Sequence, residues 1–526
     1  MQSKVVSLNT IPSPQENIGL QPSGLWPNNG ILLCNAPNEQ GDVYGAAQMC
    51  SDGSGGAIIV WSDERNKGST FSDIYAQRID EDGRMLWGLN GIIIADTANT
   101  ESNPQIISDG SGGAIIVWQV YVSGSFDIYA QRVDSNGIKL WGSSVAVSTA
   151  SSSQIYPRLC TDGAGGAIIT WEDARNPPLN ANDVYVQWIN ATGDAEWTLD
   201  GIAICTATYG GHHRYPKICS DENGGAIIAW EDNRTYPTNY NIYAQKINSS
   251  GLTEWLANGT VICNAGGSQT GVEITSDGAG GAVISWMDSR TGTRVYTQRI
   301  NSNGVTQWTN NGIQLSPYLC WDVHMCSDGA GGAIMAWRDD RSGGLGDIIA
   351  QRVDTNGNLK WGVNATVVCA MNDNQYVTGI SGDGNGGAVI VWRDMRTGNY
   401  SNFDVYAQQV NSKGIGKWKT NGAPICTETS NQKDATVCIT TTGVALFCWT
   451  DNRTFATTDW DLYIYGKSVI VEIEIDFTPI LIAVGLSQPR LLEKILNLLL
   501  SPMVLGGIAI VEFLIILIFV FARKKQ

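Results

Sequence analysis

The sequence predicts an all-β fold, an eight-bladed β-propeller of four-stranded blades, from three observations. First, near copies of the segment SDGSGGAIIVW (residues 108–118) return at intervals of about 55 residues, the range of repeat architectures. Second, a strand-like segment such as DIYAQRV (127–133) follows each copy, and a turn with a second tryptophan comes next. Third, one closing segment stands at the front of the chain instead of its end. The first tryptophans of the eight repeats are Trp61, Trp118, Trp171, Trp230, Trp286, Trp337, Trp392 and Trp449.

Repeat two illustrates the four antiparallel strands that we expect in each blade. We predict strands over 104–108, 114–119, 126–134 and 138–147, because Val, Ile, Tyr and Trp dominate these runs while Gly, Asn, Asp and Ser bound them. The turn DGSGG between the first two strands supplies glycines where a tight hairpin needs a positive φ. The recurring tryptophan pair takes sixteen of the nineteen tryptophans, and we expect it to pack between blades.

The displaced segment predicts that the ring closes. GLWPNNGILLC (24–34) is similar to WGLNGIIIA (87–95) and WTLDGIAIC (197–205), which close other repeats, and the last repeat has no such segment. We therefore expect residues 26–34 to pair with the strand around 461–467 and complete blade eight, which removes exposed sheet edges. The alternative is an open solenoid or a string of small sandwiches, which would need dissimilar end caps.

The turns before the second tryptophan carry a family resemblance. DEDGRMLW (80–87), DSNGIKLW (134–141) and DTNGNLKW (354–361) resemble the tryptophan-docking motif of quinoprotein-type eight-bladed propellers, and they are similar to the Asp-box of sialidase-like propellers. The resemblance covers residues 24–468 as architecture. It implies a blade signature only, since no catalytic residue of either family maps onto this chain.

Composition limits the function classes. The net charge of -17 disfavours nucleic acid, whose binding needs clustered Lys and Arg. No GxSxG, P-loop, CxxC or dinucleotide fingerprint is present, so we predict no cofactor and find no support for catalysis. Ten of the twelve cysteines stand at positions that Ser or Thr fill in other repeats, so we expect mostly free, buried thiols.

A WxDxR motif follows the first tryptophan in seven of the eight repeats, and Val120 and Val122 replace its charged pair in repeat two. A ring of such pairs could bind an anionic or sugar ligand. Recurrence favours a structural role instead, in which each Asp caps its turn and each Arg bridges to a carboxylate. The pairs are Asp63 and Arg65, Asp173 and Arg175, Asp232 and Arg234, Asp288 and Arg290, Asp339 and Arg341, Asp394 and Arg396, and Asp451 and Arg453.

A single ligand site needs asymmetry, which the sequence places in the loops of variable length on the WxDxR side. These loops contain the only histidines of the chain, but no HxH or HExxH spacing appears and adjacent histidines cannot easily face one ion, so we predict no metal. The binding candidates are Tyr121, Tyr209, His212, His213, Arg214, Tyr236, Tyr240, Trp321, Asp322 and His324.

The termini differ from the repeats. Residues 1–23 are predicted to be a flexible leader without a secretory signal, and residues 469–502 a juxtamembrane strand followed by an amphipathic helix. Residues 503–522 are twenty largely apolar residues, long enough for one C-terminal transmembrane helix. Glu512, its only charge, is expected to be protonated or paired with a partner helix.

The orientation of this span depends on the basic tail. Residues 523–526 contain Arg523, Lys524 and Lys525, which the positive-inside rule places in the cytoplasm, with the propeller outside. A cytosolic tail-anchored orientation is the alternative, since no signal is visible and the thiols are expected to be free. We therefore predict a membrane-anchored surface propeller that binds a glycan or protein ligand on its loop face. The alternatives are a propeller enzyme of glycan-cleaving or quinoprotein type and a structural cell-surface component.

Overall fold

The computed structural model describes residues 26–40, 46–66, 68, 71–176, 182–206, 211–234, 239–341, 343, 346–396, 402–453 and 461–468. In this part of the chain, 32 strands form eight four-stranded antiparallel sheets, which confirms the eight-bladed, all-β prediction. The strands are β1 (Ile31–Cys34), β2 (Gln48–Ser51), β3 (Ala57–Asp63), β4 (Asp73–Ile79), β5 (Ile92–Ala95), β6 (Thr100–Ser108), β7 (Ala114–Val122), β8 (Ser125–Val133), β9 (Val145–Ser148), β10 (Gln154–Thr161), β11 (Ala167–Asp173), β12 (Asp183–Ile189), β13 (Ile202–Cys205), β14 (His213–Ser220), β15 (Ala226–Asp232), β16 (Asn241–Ile247), β17 (Thr260–Cys263), β18 (Gln269–Ser276), β19 (Ala282–Asp288), β20 (Arg294–Ile300), β21 (Ile313–Gln314), β22 (Cys320–Ser327), β23 (Ala333–Asp339), β24 (Asp347–Val353), β25 (Thr366–Cys369), β26 (Gln375–Gly382), β27 (Ala388–Asp394), β28 (Asp404–Val410), β29 (Ala423–Cys426), β30 (Gln432–Ile439), β31 (Val444–Asp451) and β32 (Asp461–Ser468).

The first strand of each blade lines the central channel. Blade one is β2–β5, and each later blade takes the next four strands up to blade eight, which is β30, β31, β32 and β1. The inner strand of every blade contacts the inner strand of the next, and β30 of blade eight contacts β2 of blade one. The blades therefore form a closed ring.

The amino-terminal strand closes this ring as the sequence predicts. β1 pairs antiparallel with β32, with Ile31 opposite Ile464 and Leu32 opposite Tyr463. Blade eight consequently has the strand order β1-β32-β31-β30, and the outer edge of β32 is covered by the start of the chain. Since the two ends of the ring are hydrogen-bonded to each other, no blade of the ring has to serve as an end cap.

The tryptophans that end the second strand of each blade form the packing between blades. All eight are fully buried, with exposures of 0–1%. Each side chain fills an apolar cluster that contains residues of two adjacent blades; Trp286 of blade five, for example, packs with Ile242 and Cys263 of blade four. A buried indole removes more apolar surface from water than any other side chain, so this position stabilises the ring at every interface.

The outermost strands are shorter than predicted. The prediction for blade two covered 138–147, whereas β9 covers Val145–Ser148. The preceding residues form a turn in which Asp134 Oδ1 accepts the N–H groups of Asn136 and Ile138, both at 2.8 Å. The N–H of Trp141 donates to Gln131 Oε1 at 3.2 Å. Side chains therefore satisfy backbone groups that a longer strand would have paired.

The second tryptophan of this turn docks on the next blade. Trp141 Nε1 donates to the carbonyl oxygen of Ala191 at 3.0 Å, and Trp308 Nε1 donates to that of Thr355 at 3.1 Å. In both cases the acceptor lies in the equivalent turn of the following blade. The interfaces are thus held at the rim by hydrogen bonds as well as by apolar packing.

The predicted leader (1–23), juxtamembrane segment (469–502), transmembrane helix (503–522) and basic tail (523–526) lie outside the described residues. Within the described ranges, no helix is both long and apolar enough to cross a membrane.

Candidate ligand site at the mouth of the central channel

The inner strands of blades three and four carry a bulge that turns a tyrosine toward solvent. The pairing register shifts between Ile155 and Arg158 in β10 and at the equivalent place in β14. The bulge residues Tyr156 and Tyr215 have φ values of 56° and 52°. A left-handed conformation is uncommon for a bulky residue, so the surrounding structure must hold it.

The preceding blade holds each bulge by a hydrogen bond. The N–H of Tyr156 donates to Gln119 Oε1 at 3.1 Å, and the N–H of Tyr215 donates to Glu172 Oε1 at 2.7 Å. Glu231 repeats the contact with the N–H of Gly271 in blade five, at 2.6 Å. Burial raises the pKa of both Glu172 and Glu231, and the hydrogen bonds that they accept oppose this rise. These carboxyl groups therefore position the bulges.

The two tyrosines form an exposed aromatic pair. Tyr156 is 39% exposed and Tyr215 is 45% exposed, and their ring centroids lie 5.8 Å apart at an interplanar angle of 49°. Arg214, which precedes Tyr215, adds a cation–π contact beside this pair. Its guanidinium lies 3.6 Å from the ring centroid of Tyr240. Arg214 Nε also pairs with Glu231 Oε2 at 3.0 Å, which fixes the guanidinium in place.

Directly below the tyrosines, one position of the inner strand changes from blade to blade. Four consecutive blades, three to six, carry a charged or titratable side chain there, and the other four carry small or uncharged residues. Around the ring the position holds Gln48, Gln105, Arg158, Lys217, Glu273, His324, Gly379 and Thr436. The channel is therefore chemically one-sided although the backbone repeats.

The charges on this side are only partly paired. Lys217 Nζ lies 2.7 Å from Glu273 Oε1. Arg158 donates from Nη1 to the carbonyl oxygen of Pro157 at 2.8 Å, and among the described residues it forms no ion pair. Burial lowers the pKa of Arg158 and that of His324. Arg158 thus presents a guanidinium with unused donors to the channel.

The tyrosines, Arg214, Glu231 and the upper channel residues enclose a cavity of about 830 Å³, and a second cavity of about 530 Å³ continues below it past Arg158 and His324. Cavities of several hundred Å³ with a few convergent polar groups are typical of small-molecule and saccharide sites. The arrangement offers aromatic faces, two fixed ion pairs and one unpaired cation to a ligand.

The structure brings two of the predicted binding residues to this cavity or the channel below it. Arg214 and His324 line them, while Tyr240 stacks on Arg214 without lining either cavity. His213 is 1% exposed at the interface of blades three and four, and the N–H of His212 donates to Asn233 Oδ1 at 2.5 Å.

The other candidates do not join the cavity. Trp321 and Asp322 contact Arg338 in blade six. The Arg338 guanidinium lies 5.0 Å from the ring centroid of Trp321, and its Nε lies 3.5 Å from Asp322 Oδ2. Tyr121 packs on Phe126, with centroids 5.0 Å apart. Tyr209 and Tyr236 lie outside the described residues.

Most of the site residues that the sequence did not indicate come from the inner strands. They are Tyr156, Arg158, Lys217 and Glu273 on inner strands and Glu231 on β15, the second strand of blade four. The prediction searched the loops of variable length, whereas these residues occupy positions of constant register. The signal that could have found them is the change of residue type at one aligned position counted back from each DGxGG turn.

The seven Asp–Arg pairs of the WxDxR motif form salt bridges in which every Asp side chain is 0% exposed. In blade five, Asp288 accepts from Trp286 Nε1 at 3.0 Å and from Arg290 Nη2 at 2.6 Å. Arg290 also donates to Cys263 Sγ of blade four at 3.2 Å and to the carbonyl oxygen of Asn311 at 2.8 Å. The motif therefore joins two blades, and its carboxylates line neither of the two cavities described above.

One group of residues has the composition of a metal site. Cys205, His213 and Asp232 are all buried and offer one ligand atom each, and these three atoms lie within 4.8 Å of one another. All twelve cysteines belong to the described residues and are free thiols, and burial raises the pKa of Cys34, for example, to about 12.

No family model and no curated protein matches this chain. It is similar to solved structures at low identity. An ulvan lyase, a polysaccharide lyase bound to a GlcA(1-4)Rha3S saccharide, is 9% identical, with 85% of this chain and 95% of that chain covered and a TM-score of 0.42. The β-propeller domain of the trilobed protease from Pyrococcus furiosus is 9% identical, with coverages of 72% and 99% and a TM-score of 0.39. An endo-arabinase from Bacteroides thetaiotaomicron is 12% identical, with coverages of 49% and 94% and a TM-score of 0.28.

Proposed function

We propose that this propeller is a binding module for a saccharide, held on its loop face at the mouth of the central channel. The observation that carries the proposal is the pair Tyr156 and Tyr215, which are exposed, lie 5.8 Å apart and have left-handed backbones above the channel. The left-handed bulge recurs with Asn103, Gly271, Asp322 and Asp434 in other blades, so the exposed aromatic rings and not the backbone distinguish this site. Two exposed aromatic faces at an angle suit the apolar C–H faces of successive sugar rings.

The polar groups around the tyrosines support an acidic saccharide over a neutral one. Arg214 and Lys217 are already paired with carboxylates, so they can donate to hydroxyl groups without adding net positive charge. Arg158 is the cation of this cavity without an ion pair among the described residues, and guanidinium binds carboxylate or sulfate groups through two parallel hydrogen bonds. A ligand that places an acidic group at Arg158 and sugar rings on the tyrosines would use all of these features.

A glycan array of neutral, uronic-acid and sulfated oligosaccharides, followed by calorimetry on the best ligand, tests the proposal with the full chain. Y215A should weaken binding about tenfold, because the loss of an aromatic contact costs about 1 kcal/mol or more. R158Q should weaken binding of acidic ligands and leave neutral ones unchanged. Y121A is the matched control, since Tyr121 is also 45% exposed but lies outside the cavity.

The same assay separates the other functions. Cleavage of the bound saccharide, lost on substitution of one acidic residue, would show that the chain is an enzyme. Self-assembly into ordered arrays without any ligand would show a structural surface component. Absence of binding to every acidic and neutral glycan, or a Y121A effect equal to that of Y215A, would overturn the saccharide proposal.

We further propose that the propeller is displayed outside the cytoplasm and anchored by the predicted span 503–522, with the basic residues 523–526 inside. An extracellular position would expose the channel mouth to envelope or environmental saccharides. Protease added to intact cells should digest the propeller, and lysis should add no further digestion. Survival of the propeller until lysis would establish the cytosolic, tail-anchored orientation instead.

A further inference from the structure

We propose that Cys205, His213 and Asp232 bind one divalent transition-metal ion at the interface between blades three and four. The site is separate from the channel mouth, and it does not depend on the saccharide proposal. Cys205 ends β13 of blade three, while His213 begins β14 and Asp232 ends β15 of blade four. A bound ion would therefore join two blades through three buried side chains.

The distances suit coordination better than hydrogen bonding. His213 Nε2 lies 3.5 Å from Asp232 Oδ2. A good N–H···O bond is about 2.7–3.2 Å long, whereas two ligands about 2.1 Å from a tetrahedral ion lie about 3.4 Å apart. The three ligand atoms fall within 4.8 Å of one another, so side-chain shifts of about 1 Å bring them onto a common ion.

His213 has no other role that its surroundings satisfy. The side chain is 1% exposed, and neither ring nitrogen has a hydrogen-bond partner among the described residues. Buried polar groups without partners are rare and call for an explanation. Asp183 Oδ1 lies 3.5 Å from Nδ1, on the side of the ring opposite Asp232. Asp183 therefore lies on the side from which a carboxylate orients a metal-bound histidine, at a distance somewhat longer than a hydrogen bond.

The histidine is specific to this interface. The residue opposite the motif Asp is glutamine in five other blades, where its Nε2 donates to a carbonyl oxygen two residues earlier. These glutamines are Gln40, Gln154, Gln269, Gln375 and Gln432. Each of them leaves its Oε1 without a hydrogen-bond partner among the described residues, so the fold forms with glutamine at this position. His213 differs from these glutamines because its imidazole nitrogen can bind a metal ion.

The bound state is also balanced in charge. Arg234 now donates to both Cys205 Sγ, at 2.9 Å, and Asp232 Oδ2, and the ion would displace it from these two atoms. Arg234 keeps Asp232 Oδ1 at 2.8 Å and the carbonyl oxygen of Asn258 at 2.8 Å. Binding forms a metal–sulfur bond and releases the Cys205 thiol proton to solvent. The ion and Arg234 then carry three positive charges against Asp183, Asp232 and the thiolate. A donor set of thiolate, imidazole and carboxylate selects Zn²⁺ or Co²⁺ over Mg²⁺ or Ca²⁺.

Metal-free full chain titrated with Co²⁺ and Zn²⁺ tests the site. We expect one ion per chain, with a thiolate-to-cobalt charge-transfer band that Zn²⁺ abolishes. H213Q should weaken binding about 100-fold. D183N should weaken it about tenfold, because Asp183 contacts the imidazole of His213 and not the ion itself. C205S should remove the charge-transfer band. Serine is tolerated there, since Ser148 occupies the equivalent place and accepts from Arg175 at 3.1 Å.

C263S is the matched control. Cys263 meets Asp288 and Arg290 in the same way at the next interface, but Gln269 stands in place of the histidine. This variant should bind Co²⁺ like the parent. Equal melting temperatures of H213Q and the parent in chelator would show that the loss of binding is not a loss of folding. Failure of the parent to bind a stoichiometric ion, or equal affinity in H213Q, would overturn the proposal.

Discussion

Replacing Glu101 by glutamine should remove a pH-dependent loss of folding stability that arises in blade two. Glu101 lies opposite Val120 at the register position where His213 and the five glutamines stand in other blades. Its side chain is 0% exposed. Oε1 accepts from the hydroxyl and the N–H of Thr97, and Oε2 has no hydrogen-bond partner in the described part of the chain. Blade two is also the blade without the Asp–Arg pair, so no arginine of the motif lies beside this carboxyl group.

The size of the effect follows from the pKa. Burial raises the pKa of Glu101 from 4.5 to about 7, against the opposing hydrogen bonds from Thr97. Because the folded chain then binds this proton more tightly than the unfolded chain, the free energy of unfolding falls as the pH rises from about 4.5 to 7. The full loss is about 3 kcal/mol, of which about 2 to 3 kcal/mol falls between pH 5 and pH 8. E101Q carries no ionisable group and should not show this loss.

Urea unfolding of E101Q and the parent at pH 5 and pH 8 measures the difference. The stability gain of E101Q over the parent should be about 2 to 3 kcal/mol larger at pH 8 than at pH 5. E81Q serves as the control, since Glu81 is exposed in the turn between β4 and β5 of blade one and should leave the pH profile unchanged. If the profiles of E101Q and the parent run parallel from pH 5 to pH 8, then Glu101 does not carry a raised pKa and this account of blade two fails.

Two further predictions compare matched positions by urea unfolding. Gly259 and Gly88 have φ values of 94° and 95°, but a Cβ at Gly259 would lie 2.4 Å from the buried ring of Trp230 while one at Gly88 meets nothing within 4 Å. G88A should therefore cost about 1 kcal/mol and G259A about 1–3 kcal/mol more, and equal costs would contradict the packing role of the tryptophan. R290M should cost about 3–5 kcal/mol because it leaves Asp288 buried and unpaired, whereas the double variant D288V/R290V, which copies blade two, should cost less. A double variant less stable than R290M would contradict this prediction. It would show that the attraction between Asp288 and Arg290 exceeds the free energy needed to bury their charges.

The sequence predicts the ring well because the ring is periodic. The glycine turn and the tryptophan that ends each second strand recur at a fixed interval. The last repeat lacks its closing segment, and the displaced first strand supplies it. The partners of these elements therefore follow from the period alone. The outer strands are predicted too long. In the turn at Asp134, a side-chain oxygen accepts backbone N–H groups that a strand would pair, and the alternation of residue types does not reveal such a turn.

The candidate site is less accessible to sequence reasoning. Tyr156 and Tyr215 are 59 positions apart by number, yet their rings meet because each bulge turns the chain by one residue toward the channel. A β-bulge leaves no reliable signal in a single sequence, and without the bulge these tyrosines would read as ordinary strand residues. Cys205 and His213 are closer in sequence, but they belong to different blades, and only the packing of the two sheets brings the thiol and the imidazole together.

The repeat also explains where chemistry can be placed without loss of the fold. Buried tryptophans and Asp–Arg pairs hold adjacent blades together at nearly every interface, so a single position within a blade can change residue type while the ring keeps its shape. The channel position changes from glutamine to Arg158 and Lys217 in blades three and four, and the strand-start position changes from glutamine to His213 at the same interface. Both departures remove a residue that the other blades show to be sufficient for folding. The blades therefore differ chemically while their backbone repeats, and blades three and four combine a charged channel position with the buried His213.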